Sequence, residues 1–283
     1  MRPSVQVQFL RDRYMALPYL TTIVTGVMIV LYLTGILFSS SLPLSLALNP
    51  KAILHGGIHR LVTYPLVHMN FAHVFFNLAA LVPVLSSFEE ETGTIGTAGC
   101  LVLFSIVPGL AYAITALIFS STAITLGASG WVFTLMAYFS LIDYSMRPTI
   151  YITSSIQIPT WSTPIITLVI IALLLPGSSF LGHLYGLLTG YGYGLGYLNF
   201  GKIPQHLILN SEAFLLKYNL TKAIPRFVSD DSASKHRVVI DTTVDAGVPS
   251  GSTSPVLSPT GGPGLPGPGQ SRGFSGQGRQ LGS

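Results

Sequence analysis

Between residues 14 and 200 the chain carries only seven charged side chains: Lys51, Arg60, Glu89, Glu90, Glu91, Asp143 and Arg147. A water-soluble domain carries roughly a quarter charged residues. The remaining charges crowd the ends, four in the first 13 residues and 13 in the last 83. Over the whole chain 8% of residues are charged and 49% hydrophobic, with a mean hydropathy of +0.60. A stretch this long and this uncharged belongs in lipid. There, backbone N–H and C=O groups find no water and must pair within their own segment, which means helices. The expected fold class is therefore all-α, a polytopic membrane protein.

Six apolar runs are long enough to be read as spans, at about 17–38, 71–88, 94–119, 129–145, 158–175 and 180–200. The first is too long for the apolar region of a typical signal peptide and is read as a span. Six spans put both termini on one side. Arg2, Arg11, Arg13, Arg147, Lys202, Lys217, Lys222 and Arg226 then face the cytosol, against Lys51 and Arg60 on the lumenal side, as the positive-inside rule requires. The chain divides into a cytosolic segment (1–16), a six-helix membrane domain (17–200), a juxtamembrane cytosolic linker (201–245) and a Gly-, Pro- and Ser-rich tail (246–283) expected to be disordered. Residues 206–227 mix apolar and basic side chains, and both a surface-lying helix and a loose linker fit them. The net charge of +4 flanks the spans instead of forming a patch, so no nucleic-acid partner is expected. Cys100 is the sole cysteine and can form no internal disulfide.

Ionisable and nucleophilic groups inside a bilayer are costly, so they point to function. Ser129 stands at the lumenal start of the fourth run, within Gly127-Ala128-Ser129-Gly130. His183 stands one turn into the sixth, and His73 and Asn77 within the first two turns of the second. Three helices thus bring four polar side chains to one depth. A serine hydroxyl becomes a useful nucleophile when a neutral imidazole takes its proton. At a helix N-terminus Ser129 also meets unpaired backbone N–H groups, which suit an oxyanion. His73 and Asn77, four residues apart, share a helix face and are candidate further donors. Phe133, one turn after Ser129, is placed to stack on His183. Gly182, Gly186, Gly190 and Gly194 repeat every four residues, a ladder that admits close helix packing. Gly127 and Gly130 allow a sharp turn into the fourth run. The acidic run at 89–91 is read as mostly a solvated helix end, Asp143 with Arg147 as an interfacial pair, and His68 as a loop-anchoring or helix-entry residue. The histidines form no dense ligand cluster, so neither metal nor cofactor is expected.

The set His73-Val74-Phe75-Phe76-Asn77, Gly127-Ala128-Ser129-Gly130 and Gly182-His183 with its ladder resembles the rhomboid intramembrane serine proteases. His68 five residues before His73, Arg60, and Glu89 to Gly93 add to the likeness, which covers about residues 15–200. The resemblance implies a six-helix bundle with Ser129 as nucleophile and His183 as base. The Ser129 N–H, His73 and Asn77 would form an oxyanion hole, and Arg60 and Glu89 would be structural. It implies single-span membrane proteins as substrates, cut near the lumenal face. Two departures stand out. His59-Arg60 replaces the frequent Trp-Arg, which bears on the anchoring of the first loop. Trp131 is bulkier than usual and is expected to narrow substrate access.

The six-span form with a long tail is similar to fungal Golgi rhomboids, some of which are linked to a sterol-responsive transcription factor precursor. In the tail, Phe274, Gly276, Gly278 and Leu281 resemble a short box that binds the valosin-containing AAA unfoldase. A derlin-like, non-catalytic dislocation factor would share that box, but such relatives lack the serine or the histidine. A transporter fits less well: no internal repeat is evident.

Overall fold

A computed structural model describes residues 17–38 and 41–234. Helix α1 spans Tyr19–Leu37. The long connection that follows folds into short helices α2 (Leu42–Leu46), α3 (Pro50–Leu54) and α4 (Arg60–Thr63), and a 3-10 turn at Tyr64–Leu66. Prolines open α2 and α3, where a missing N–H costs nothing, and the Asn49 side chain accepts the Ala52 N–H. Helix α5 covers Phe71–Thr92 and α6 Thr94–Ile118. The corner between them is Gly93, at φ +77°, a conformation that costs other residues strain. Helix α7 is Ser129–Met146. Strands β1 (Thr149–Tyr151) and β2 (Gln157–Pro159) form an antiparallel hairpin, a 3-10 turn at Thr160–Ser162 leads into α8 (Thr163–Leu174), and α9 is Phe180–Gly194. Beyond lie α10 (Gln205–Lys217), α11 (Leu220–Ala223) and α12 (Asp230–Ser234).

By length and composition α1, α5 and α6 are able to cross a membrane. The later helices depart from the expected runs. Helix α8 starts at Thr163 and not near Ile158, because Ile158 is paired with Ile150 in the hairpin. Its 12 residues rise about 18 Å, well short of a bilayer core about 30 Å thick. Helix α9 stops at Gly194 instead of Phe200, and the chain turns at Gly196 with φ +84°. Helix α7 is the inner helix. It buries Gly130 through Leu135, and Ala137, Tyr138, Ser140 and Ile142, so protein and not lipid solvates its polar residues.

One core cluster joins Met28 of α1, Leu81, Leu85 and Phe88 of α5, Phe104 of α6, Trp131, Leu135 and Tyr138 of α7, and Tyr193 of α9. The Phe88 ring lies 5.3 Å from Tyr138 and 5.7 Å from Phe104, in tilted and edge-on arrangements favoured by ring quadrupoles.

The acidic run is not a solvated helix end. Glu89 is fully buried, and its carboxylate accepts the Leu20 and Thr21 N–H groups (2.8 and 2.7 Å), the Thr21 hydroxyl (2.8 Å) and the Thr94 hydroxyl (2.7 Å). It thus caps the first turn of α1 from the end of α5, where anionic charge suits the helix dipole. Glu91 is also buried and accepts the Tyr138 hydroxyl. Only Glu90 is exposed. Glu89→Ala is expected to lower stability by about 3 kcal/mol, since several donors lose a charged acceptor at once; thermal unfolding in micelles measures it. Asp143 and Arg147 are joined by a backbone bond, the Arg147 N–H donating to the Asp143 carbonyl at 2.7 Å, and their side chains form no ion pair.

Residues 205–234 return to the bundle. Thr94 N–H donates to the Val228 carbonyl (2.9 Å) and Val228 N–H to the Thr94 hydroxyl (3.0 Å), while Tyr19 N–H donates to the Arg226 carbonyl (3.2 Å). Asp230 N–H donates to Glu212 (2.8 Å), whose carboxyl is pushed up chiefly by burial. The N-terminal segment, the tail from 246 and the box at Phe274, Gly276, Gly278 and Leu281 lie outside the described residues.

Candidate active site

The site begins with the approach of two helices. On α9, a Cβ at Gly186 would collide with the Gly130 carbonyl oxygen, one at Gly190 with that of Thr134, and one at Gly194 would sit 2.8 Å from Leu141 Cδ1. These glycines let the α9 backbone touch α7. Gly182 differs: its nearest neighbours are Ser179 Oγ at 3.0 Å and Thr125 Oγ1 at 3.4 Å, so it serves the start of the helix and not the seam. There the Ser179 side chain accepts the Gly182 N–H. Between the helices Thr134 Oγ1 lies 2.9 Å from both the Gly130 and the Gly186 carbonyl oxygens, sharing its proton across the seam.

That contact places His183 Nε2 2.7 Å from Ser129 Oγ. The imidazole is 6% exposed and stacks on Phe133, centroids 4.8 Å apart and planes 29° apart. Ser129 is half-buried at the first position of α7.

The loop before Ser129 is held from the other side. Gly127 adopts φ +108°, and its N–H donates to the Tyr64 carbonyl at 2.9 Å. A Cβ there would come within 2.6 Å of His73 Nε2, so the glycine admits the His73 ring against the loop. Asn70 caps α5 by accepting the His73 N–H at 2.8 Å. Asn77 lies one turn further along. Its amide donates to the His73 carbonyl at 2.8 Å, and its buried Oδ1 has no partner. His68 also grips this loop. This buried ring accepts the Ala128 N–H at 3.3 Å and meets the His73 ring edge-on at 4.9 Å. Its five-residue spacing from His73 was the available signal.

Trp131 does not narrow access to Ser129. Its indole is buried between α6 and α7 and donates to Ser105 Oγ at 3.0 Å. Arg60 anchors the first connection without a neighbouring tryptophan, donating to the Leu44 and Ala47 carbonyls at 2.8 and 2.7 Å.

Comparison with known proteins adds the family. The rhomboid domain model matches residues 55–200. A "Rhomboid-type serine protease 2" of Gibberella zeae is 39% identical over 216 residues, covering 75% of this chain and 78% of that protein. The protein of the same name from Neurospora crassa is 38% identical over 209 residues, 72% of this chain and 74% of its own length. The chain belongs to the rhomboid family. It is a membrane protein, and its enzyme class is that of a serine endopeptidase. A Saccharomyces cerevisiae rhomboid of that name is 38% identical over 199 residues, 69% of this chain and 75% of that one. The Ser129–His183 contact and the loop around Gly127 all fall within the matched rhomboid domain.

Proposed function

We propose that this rhomboid cleaves single-span membrane proteins near the lumenal face, through a Ser129–His183 dyad. The observation that carries the reading is the 2.7 Å separation of Ser129 Oγ and His183 Nε2. With its proton on Nδ1, the imidazole accepts the Ser129 proton as Oγ attacks the scissile carbonyl carbon. The resulting oxyanion is held by the Ser129 N–H, with His73 and Asn77 beside it. The imidazolium then gives its proton to the leaving amine, and the acyl-enzyme remains. Water, deprotonated by the same imidazole, attacks the ester and restores Ser129. Phe133 keeps the ring plane fixed through both transfers.

In this reading the domain crosses the membrane six times, the short α8 and α9 included, with both termini cytosolic in a Golgi or other secretory-pathway membrane. A substrate helix must unwind to present its backbone, which favours small or helix-destabilising residues at the cut. A sterol-responsive transcription factor precursor is one proposed substrate. The string Phe274–Leu281 is proposed to recruit the valosin-containing AAA unfoldase as an extended peptide. A derlin-like role without chemistry is disfavoured, since both dyad residues are present and in hydrogen-bond contact.

The test is a serine-directed fluorophosphonate applied to the full chain in proteoliposomes, alongside cleavage of a single-span substrate. Wild type is expected to be labelled at Ser129 and to release product, and Ser129→Ala to do neither. Equal product from both proteins overturns the assignment.

A further inference from the structure

The hairpin between α7 and α8 has two unlike faces. Its register pairs Ile150 with Ile158 and Tyr151 with Gln157, and the Ile152 N–H donates to the Ile156 carbonyl at 2.9 Å. Side chains alternate across a strand, so Ile150, Ile152, Ile156 and Ile158 share one face, while Thr149, Tyr151, Gln157 and Pro159 share the other. Ile150, Ile152 and Ile156 are 42%, 58% and 52% exposed and Ile158 is half-buried, so the described chain leaves much of the isoleucine face open.

The hairpin's root is fixed. Thr160 N–H donates to the Pro148 carbonyl at 2.9 Å, the Thr160 hydroxyl to the Arg147 carbonyl, and the Tyr191 hydroxyl of α9 to the Trp161 carbonyl. From there the chain enters α8, whose Ile165, Ile166, Val169, Ile170 and Leu173 are exposed in a membrane protein and so meet lipid.

We propose that this hairpin lies in the headgroup layer of the bilayer, its isoleucine face toward the acyl chains. Three observations converge. The apolar face is continuous in sequence with the lipid-exposed surface of α8. No Asp, Glu, Lys or Arg occurs between Arg147 and Lys202, so no charge opposes insertion. Tyr151 and Trp161, 65% and 40% exposed, are the residue types that settle at membrane interfaces. A two-stranded hairpin is marginal alone in water and gains from a surface to lie on. Its open edges bar it from the hydrocarbon core, where unpaired backbone groups find no partner. The interface satisfies both demands, and Arg147 at the root can meet lipid phosphates.

The experiment places an environment-sensitive fluorophore on Ile152→Cys and, separately, on Gln157→Cys, on opposite faces of the hairpin. The full chain is reconstituted in phosphatidylcholine vesicles at high lipid-to-protein ratio, and buried Cys100 is left in place. At position 152 the emission is expected to shift to the blue, to be quenched by a shallow lipid-borne quencher and to lose quenching by aqueous iodide. At 157 iodide quenching is expected to persist. Equal behaviour at the two positions overturns the proposal. So does shielding at 152 that disappears on dilution into more lipid, which would mark a contact between copies of the chain.

Discussion

His183→Ala is expected to lower the rate of cleavage of a single-span substrate by about 10²–10⁴-fold, the contribution typical of a positioned base. The sharper expectation concerns the double variant. If Ser129 and His183 act as one unit, Ser129→Ala with His183→Ala falls no further than the more damaging single change, because each alone already removes the covalent route. Independent roles would instead multiply. The cycle is read as initial rates in proteoliposomes, with thermal unfolding as a control. The imidazole's hydrogen bond goes to the Ser129 hydroxyl and its ring stacks on Phe133, and because the ring is buried the unfolding control is needed to separate lost packing from lost chemistry. A His183→Ala protein that cleaves at the wild-type rate would remove His183 from the chemistry.

Gly190→Ala is expected to damage both stability and activity, though Gly190 touches neither reacting group. The added methyl would overlap the Thr134 carbonyl oxygen and sit 2.8 Å from Ala137 Cβ. One of these is backbone and cannot turn aside, so α7 and α9 must separate. Overpacking of a filled site costs typically about 1–3 kcal/mol, and a backbone clash puts this substitution at the upper end. The parting also lengthens the Ser129–His183 contact, and a misplacement near 1 Å is able to cost about 10² in rate. The control is Gly26→Ala on α1, where nothing lies within 4 Å of the new Cβ. There alanine is expected to be neutral or to stabilise by about 0.5–1 kcal/mol through its better helix propensity. Thermal unfolding together with cleavage rate separates the two sites. Unchanged behaviour of Gly190→Ala would mean the seam is looser than its geometry.

The residues of the candidate site were easier to pick out in the sequence than the frame around them, for physical reasons. Ser129, His183, His73 and Asn77 stand out because a polar side chain in an apolar run is costly, and the glycine ladder because its four-residue period is strict. The family resemblance marked Glu89 as structural, but composition alone misread it, because it shows a charge run and not its partners: the donors at Leu20 and Thr21 are 69 and 68 residues away. Trp131 was misjudged because nearness in sequence to Ser129 says nothing of direction, and two steps along a helix turn a side chain through about 200°. The hairpin was overlooked because Ile158 was read as the start of the apolar run of α8, which broke up the two-residue period it shares with Ile156. His68 was seen as an anchor, but its acceptor bond to Ala128 depends on a loop 60 residues away.

The bare backbone contact at Gly186 and Gly190, with the Thr134 proton shared across it, holds Ser129 and His183 within hydrogen-bond distance before any substrate arrives. If the two form the proposed dyad, no rearrangement of the reacting atoms has to precede attack. A small covalent inactivator should therefore titrate the resting protein to one equivalent, in the absence of any membrane partner. Restraint in the cell would then fall to whatever governs which helices unwind within its reach.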